Sequence, residues 1–303
     1  MVSDNPGMAR ALLYGLGAHA IWGAMPLYLL LVREVPPVEF VAWRTLFSLP
    51  VCLVFIAATS RWRELRACLG HKRVMLTLTG SAAMIALNWL GYIWAIQTNH
   101  VYAASLGYYI LPLNMMLLGV VFLKERLSLL QWAAAALAGA GVTVLAAGAL
   151  TTLWVSLLLA FSFGFYGLMR KRVAAGPLVG LTVETMILFP LVAAYLGWLE
   201  LAGGGTAFGR DALETGAIMA GGVITAVPLM LFAGAARALP YSLVGFLQFI
   251  APTIVFVLGL TVFGEDLKPA QLACFVAIWV AVALFSWDLW AKSRAARPVV
   301  PAG

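Results

Sequence analysis

The chain has few side chains able to do chemistry, and their positions narrow what chemistry is open to it. Of 19 basic and 12 acidic residues, Arg44 and Glu184 fall well inside long apolar runs. His19 lies inside another, and an ordinary imidazole titrates near neutrality. Ionisable groups embedded in apolar segments are functional candidates, so His19 and Glu184 are read as candidate proton-coupling groups, against a buried, hydrogen-bonded structural role for each. Cys52, Cys68 and Cys274 show no ligand spacing, so neither a metal nor a disulfide is expected. There is no phosphate-binding glycine loop. ATP-driven pumping is therefore not expected, no cofactor is called for, and the chain is not read as an enzyme. A membrane enzyme acting on lipids would show acidic motifs or a His pair at the water boundary.

A second group of residues suits recognition. Pro112 and Pro252 sit mid-run, where each removes a backbone hydrogen bond and frees a carbonyl. Tyr108 and Tyr109 precede the first, and Phe246, Gln248 and Phe249 precede the second. Asn88 and Tyr92 share a helix face at i, i+4 spacing. Amides and hydroxyls in hydrocarbon need partners, either a neighbouring helix or a solvated cavity. Jointly these residues read as a cavity lining, with aromatic faces for an apolar side chain and a few polar groups to orient a polar end. Trp22, Phe163 and Tyr166 are placed to close it. The substrate-binding set is thus Trp22, Asn88, Tyr92, Tyr108, Tyr109, Phe163, Tyr166, Phe246 and Gln248, with Pro112 and Pro252 as hinges. Helix-to-helix glue is the alternative for Asn88 and Gln248, lipid or core packing for each aromatic, and a static kink for each proline.

The elements that must position these groups are membrane helices. The 303 residues are 63% hydrophobic and 10% charged, whereas a water-soluble domain carries about 25% charged residues. A soluble enzyme, a nucleic-acid-binding domain and a secreted disulfide scaffold are excluded. A ~30 Å hydrocarbon core needs ~20 apolar residues per helix, and ten such spans are expected, at 9–32, 38–59, 74–97, 101–123, 128–147, 150–169, 178–199, 214–236, 241–263 and 269–290. Segments of ~10 alternating residues, the mark of an outer-membrane barrel, are not seen. The first run is too long for a signal-peptide core and is read as a retained helix. With the N-terminus inside, fifteen of the 19 basic residues lie at inner positions, Arg33, Arg210 and Lys268 lie outside, and Arg44 lies within the second span. This asymmetry puts both termini in the cytoplasm of a bacterial inner membrane.

The chain also repeats itself at one offset. Adding 140 converts Pro37 to Pro177, Thr45 to Thr185, Pro50 to Pro190, Pro112 to Pro252, Gly119 to Gly259, Glu125 to Glu265 and Gln131 to Gln271. The domains are read as 8–148 and 149–291, with tails 1–7 and 292–303. Each repeat holds five spans, an odd number, so the second copy enters from the opposite side and the halves are inverted. Inverted repeats recur in transporters that expose one central site to each side in turn. Arg44 and Glu184 are also 140 apart, but each lies ~10 Å along its helix from opposite faces, so direct contact is not expected. Arg44 is assigned instead to Glu39 or an outer-loop acid, and Glu184 to the Arg170, Lys171, Arg172 cluster. Glu125 and Glu265 are expected to bond neighbouring helix N-termini or basic groups. The small residues Ala133, Gly141, Ala273, Ala277 and Ala281 are assigned to intramolecular packing, with a homodimer contact as the minor alternative.

Several segments resemble a known family. Ala20-Ile-Trp-Gly-Ala-Met-Pro26, Glu39-Phe-Val-Ala-Trp-Arg44, Ser105-Leu-Gly-Tyr-Tyr-Ile-Leu-Pro112 and Phe122-Leu-Lys-Glu125, in a five-plus-five layout over residues 9 to 290, resemble the EamA family of the drug/metabolite transporter superfamily, RarD-type branch. The resemblance implies an all-α fold, an export direction and a substrate class that includes aromatic and other apolar amino acids. Some members are named for drug or chloramphenicol sensitivity.

The reading that emerges is a secondary transporter exporting small neutral or zwitterionic metabolites, foremost apolar and aromatic amino acids, by alternating access. Its partners are the solute, membrane lipid and, on the coupled version, protons; nucleic acid is not among them. Few carboxylates at depth weigh against polycationic drugs. Efflux of neutral, chloramphenicol-like compounds is the alternative within transporters, and a non-transport scaffold or receptor the alternative outside them.

Overall fold

The computed structural model describes residues 6–147, 150–202, 204–264 and 266–295. Glu265 and most of the two tails lie outside them. Among the described residues, ten helices are long and apolar enough to cross a membrane: α1 (Pro6–Leu29), α2 (Pro37–Ala58), α4 (Lys72–Gln97), α5 (Val101–Leu123), α6 (Leu129–Ala146), α7 (Leu153–Arg172), α8 (Pro177–Leu201), α9 (Ala212–Ala238), the broken pair α10 (Tyr241–Leu247) and α11 (Ile250–Thr261), and α12 (Pro269–Ala295). A short helix, α3 (Trp62–Gly70), occupies what the sequence presents as a basic loop. Its Leu65 and Cys68 are buried against Ile56, Val74 and Val179, so the loop is pinned to the helix ends.

Local chemistry starts the helices where they start. Proline at the first helical position has no N–H to leave unpaired and carries a helical φ, and Pro37 and Pro177 open α2 and α8. Ser128 and Gln131 form a capping box on α6, and Asp211 caps α9 through the Glu214 amide. The starts also repeat. Pro37 and Pro177, Lys72 and Ala212, Val101 and Tyr241, and Leu129 and Pro269 begin corresponding helices, each pair 140 residues apart.

Packing between the halves follows the same exchange. α2 lies on α8, α5 on α10 and α6 on α12, three contacts that map onto themselves when the halves are swapped. α1 packs on α9 while its counterpart α7 packs on α4, and α5 on α7 is matched by α11 on α1. Glycine permits close helix crossings. A Cβ on Gly245 would stand 2.8 Å from the Pro112 carbonyl oxygen, and one on Gly141 would stand 3.0 Å from the Ala277 Cβ. Gly141 and Ala277 are therefore used against each other, whereas Ala133 and Ala273 are exposed.

The paired prolines do not behave alike. α5 runs unbroken through Pro112, whereas its counterpart is interrupted at Gln248 and Phe249, just before Pro252. There the Gln248 and Phe249 amides reach back three residues to Gly245 and Phe246, a tighter turn than the α-helix.

Candidate functional site

Arg44, on the second turn of α2, stands among rings. Its guanidinium carbon is 4.7 Å from the centre of the Trp89 ring on α4 and 6.0 Å from that of Phe40. The hydroxyls of Tyr28, Tyr92 and Tyr108 lie within reach of its charge, and the rings of Tyr92 and Tyr108 contact each other at 6.0 Å. Gly221 on α9 closes the enclosure, since a Cβ there would stand 3.0 Å from the Tyr28 hydroxyl and 3.1 Å from the Arg44 Cβ. Side chains from α1, α2, α4 and α5 thus meet around one cation. Arg44 is half-buried, and its Nε is enclosed without a hydrogen-bond partner.

The acid assigned to Arg44 is used elsewhere. Glu39 accepts hydrogen bonds from Trp43 Nε1 at 3.1 Å and from the Ala207 amide at 2.6 Å, and Glu34 pairs with Arg33. The expected partnership with Glu39 is therefore corrected, because the 204–211 segment lies against the start of α2 and its Ala207 amide takes the carboxylate. Phe208 in that segment stacks on Trp43 at 4.7 Å. A guanidinium on an aromatic face gains about 0.5–2 kcal/mol, while taking an ion out of water costs several kcal/mol. The rings alone do not compensate Arg44.

Glu184 meets Arg170, the first residue of the basic cluster, at 3.6 Å, with side chains 2% and 0% exposed. Ser81 on α4 donates to the same carboxylate oxygen, and Arg170 donates to the Pro177 carbonyl at 2.9 Å. Gly180 makes room for the guanidinium, because any Cβ there would overlap it. The other Glu184 oxygen and the Tyr166 hydroxyl have no hydrogen-bond partner.

His19, Trp22, Phe163, Tyr166 and Phe232 form one aromatic cluster, with ring centres 5.2–6.3 Å apart. His19 is fully buried, with neither ring nitrogen paired. The other sequence candidates separate by environment. Asn88 donates to the Leu159 carbonyl at 2.9 Å and to Ser162 Oγ at 3.1 Å, which spends its amide on α7 and gives it the packing role. Asn114, which no motif singled out, does the same at the Ala160 carbonyl. Phe246 is buried against Phe285 at 3.9 Å, and Gln248 donates to Met115 Sδ at 3.4 Å. These two belong to the interior beside the α10–α11 break rather than to the Arg44 enclosure. Tyr109 faces the other side of α5. It contacts Phe275 and lines a cavity of about 360 Å³ with Pro26, Tyr102, Ser105 and Phe256.

The opposite ends of these helices are tied shut. Glu125 accepts from the Tyr241 and Ser242 amides at 2.5 and 2.9 Å, capping α10 as its position at a neighbouring N-terminus suggested. Lys171 donates to the Ala236 and Leu239 carbonyls, and Arg237 to those of Val173 and Ala175. Cations thus satisfy helix C-terminal carbonyls that would otherwise be orphaned.

Among the described residues, ten helices long and apolar enough to cross a membrane define a multi-pass membrane protein. Residues 9–147 match the EamA-like transporter family. An uncharacterized transporter of Pseudomonas aeruginosa is 43% identical, covering 95% of this chain and 96% of that one. Protein RarD of Streptomyces exfoliatus is 38% identical, covering 94% and 91%. Chloramphenicol-sensitive protein RarD of Pseudomonas aeruginosa is 32% identical, covering 92% and 94%. A solved crystal structure shares the fold at a TM-score of 0.72 and 19% identity, covering 91% of this chain and 96% of that one. The chain belongs to the EamA-like transporter family, in the RarD-type branch of the drug/metabolite transporter superfamily.

Proposed function

We propose that the protein exports small amphipathic metabolites, foremost aromatic and other apolar amino acids, by alternating access between two inverted halves spanning roughly 8–148 and 149–291. The exchange-related packing of the helices carries this reading, because two half-structures of one kind can trade conformations about a shared site. The charge asymmetry of the loops favours cytoplasmic termini. In that orientation the Arg44 enclosure belongs to the outer part of the membrane, and the Glu125, Lys171 and Arg237 ties close the inner end. The His19–Trp22–Phe163–Tyr166 cluster then separates the two, as a plug that must part for solute to pass.

Counterflow of labelled phenylalanine and tryptophan in proteoliposomes tests the reading; absence of amino-acid flux overturns it. An imposed pH gradient tests His19 and Glu184 as coupling groups, and a gradient that leaves the initial rate unchanged removes both from that role. On this reading Pro112 and Pro252 are the paired hinges, the second beside the α10–α11 break. Pro252→Ala is expected to slow counterflow about ten-fold while moving the melting temperature little, and an unchanged rate would make the break a static kink. Efflux of neutral drugs is the second reading, favoured by the relative named for chloramphenicol sensitivity. Chloramphenicol flux without amino-acid flux would put it first.

A further inference from the structure

A cation enclosed by helices and lacking an acid calls for an anion from outside the chain. Among the described residues, the carboxylates nearest Arg44 along its own helix and at its repeat-related position are taken, Glu39 by Trp43 and Ala207 and Glu184 by Arg170 and Ser81. Nε is enclosed and unpartnered while Arg44 as a whole is only half-buried, which leaves the two terminal nitrogens as the donors open to an outside anion. They form a planar pair of donors matched to the two oxygens of a carboxylate. Around them stand apolar surfaces, the Trp89 face and the Tyr92–Tyr108 pair.

We propose that Arg44 is the carboxylate-binding residue of the transport site, and that the solutes carried are amphipathic carboxylates whose apolar part rests on Trp89 and the two tyrosines. This rests on the transport reading above and sharpens it. The carboxylate is the discriminating group, and the α-amino group is not. The Tyr28 hydroxyl, which donates to the Ala217 carbonyl at 2.7 Å, shapes the wall without competing for the anion.

The full-length protein in detergent is titrated calorimetrically with L-phenylalanine, 3-phenylpropionate, L-phenylalaninamide and chloramphenicol, and the same compounds are followed as labelled solutes in liposomes. Both carboxylates are expected to bind at least ten-fold more tightly than the amide. In Arg44→Gln that ratio falls to about one, and Arg44→Lys keeps part of it. Melting temperatures of both variants no lower than that of the parent exclude misfolding as the cause. Equal binding of the amide or of chloramphenicol, or an undiminished ratio in Arg44→Gln, overturns the assignment while leaving transport intact. Displacement of the carboxylates by an equal concentration of chloride reduces the site to simple anion binding and overturns it as well. Absence of binding and flux for all four compounds removes the transport reading and this assignment together.

Discussion

Arg44 and Glu184 stand at equivalent positions of the two repeats, 140 residues apart, yet their environments are opposite. Glu184 is sealed, with a guanidinium and a serine on one oxygen and side-chain exposure of 2%. Arg44 is half-open, faced by rings and hydroxyls and by no acid among the described residues. Two positions at one offset thus carry charges of opposite sign in different surroundings. One half uses the site to lock α7 to α8, and the other keeps it available.

Substitutions can break or sharpen this contrast. The largest effect is expected from Arg170→Met, which leaves Glu184 buried without its cation and should lower unfolding stability by about 3–5 kcal/mol, as read by denaturant unfolding in detergent. If Glu184→Gln in the same chain recovers none of that loss, the pair is not what holds α7 to α8. A smaller loss of about 1–3 kcal/mol is expected from Gly180→Ala, whose new Cβ enters the space of the Arg170 side chain; an unchanged melting temperature would show the guanidinium free to move. The smallest is expected from Arg44→Gln, within about 1 kcal/mol of the parent, because it removes a charge with no ionic partner to strand. A loss as large as that of Arg170→Met would reveal a counter-ion at Arg44 and erase the difference between the halves.

Much of the frame was legible in the residue order. Apolar runs located each span to within about three residues, since hydrocarbon thickness sets their length. Of the repeated prolines, Pro37 and Pro177 marked helix starts because proline suits a first turn. The acid at the end of α5 was readable as a cap, since an acid at a helix C-terminus must find donors elsewhere. Partners were another matter. The Glu39 carboxylate went to a loop that sequence shows only as a Gly-rich connection, and Asn88 turned toward α7 although it shares a face with Tyr92. Pro112 and Pro252 stand at matching offsets, yet the helix breaks beside the second and not beside the first.

The residue order determined that the chain is a stack of membrane helices, because hydrophobic length and proline geometry are local properties that each segment carries with it. The pairing of Glu184 with the Arg170 cluster was already expected, but that Arg44 faces rings rather than Glu39 was decided only when α4 and α9 came to lie against α2. Electrostatic compensation depends on distances between segments far apart in the chain, and no local pattern contains those distances.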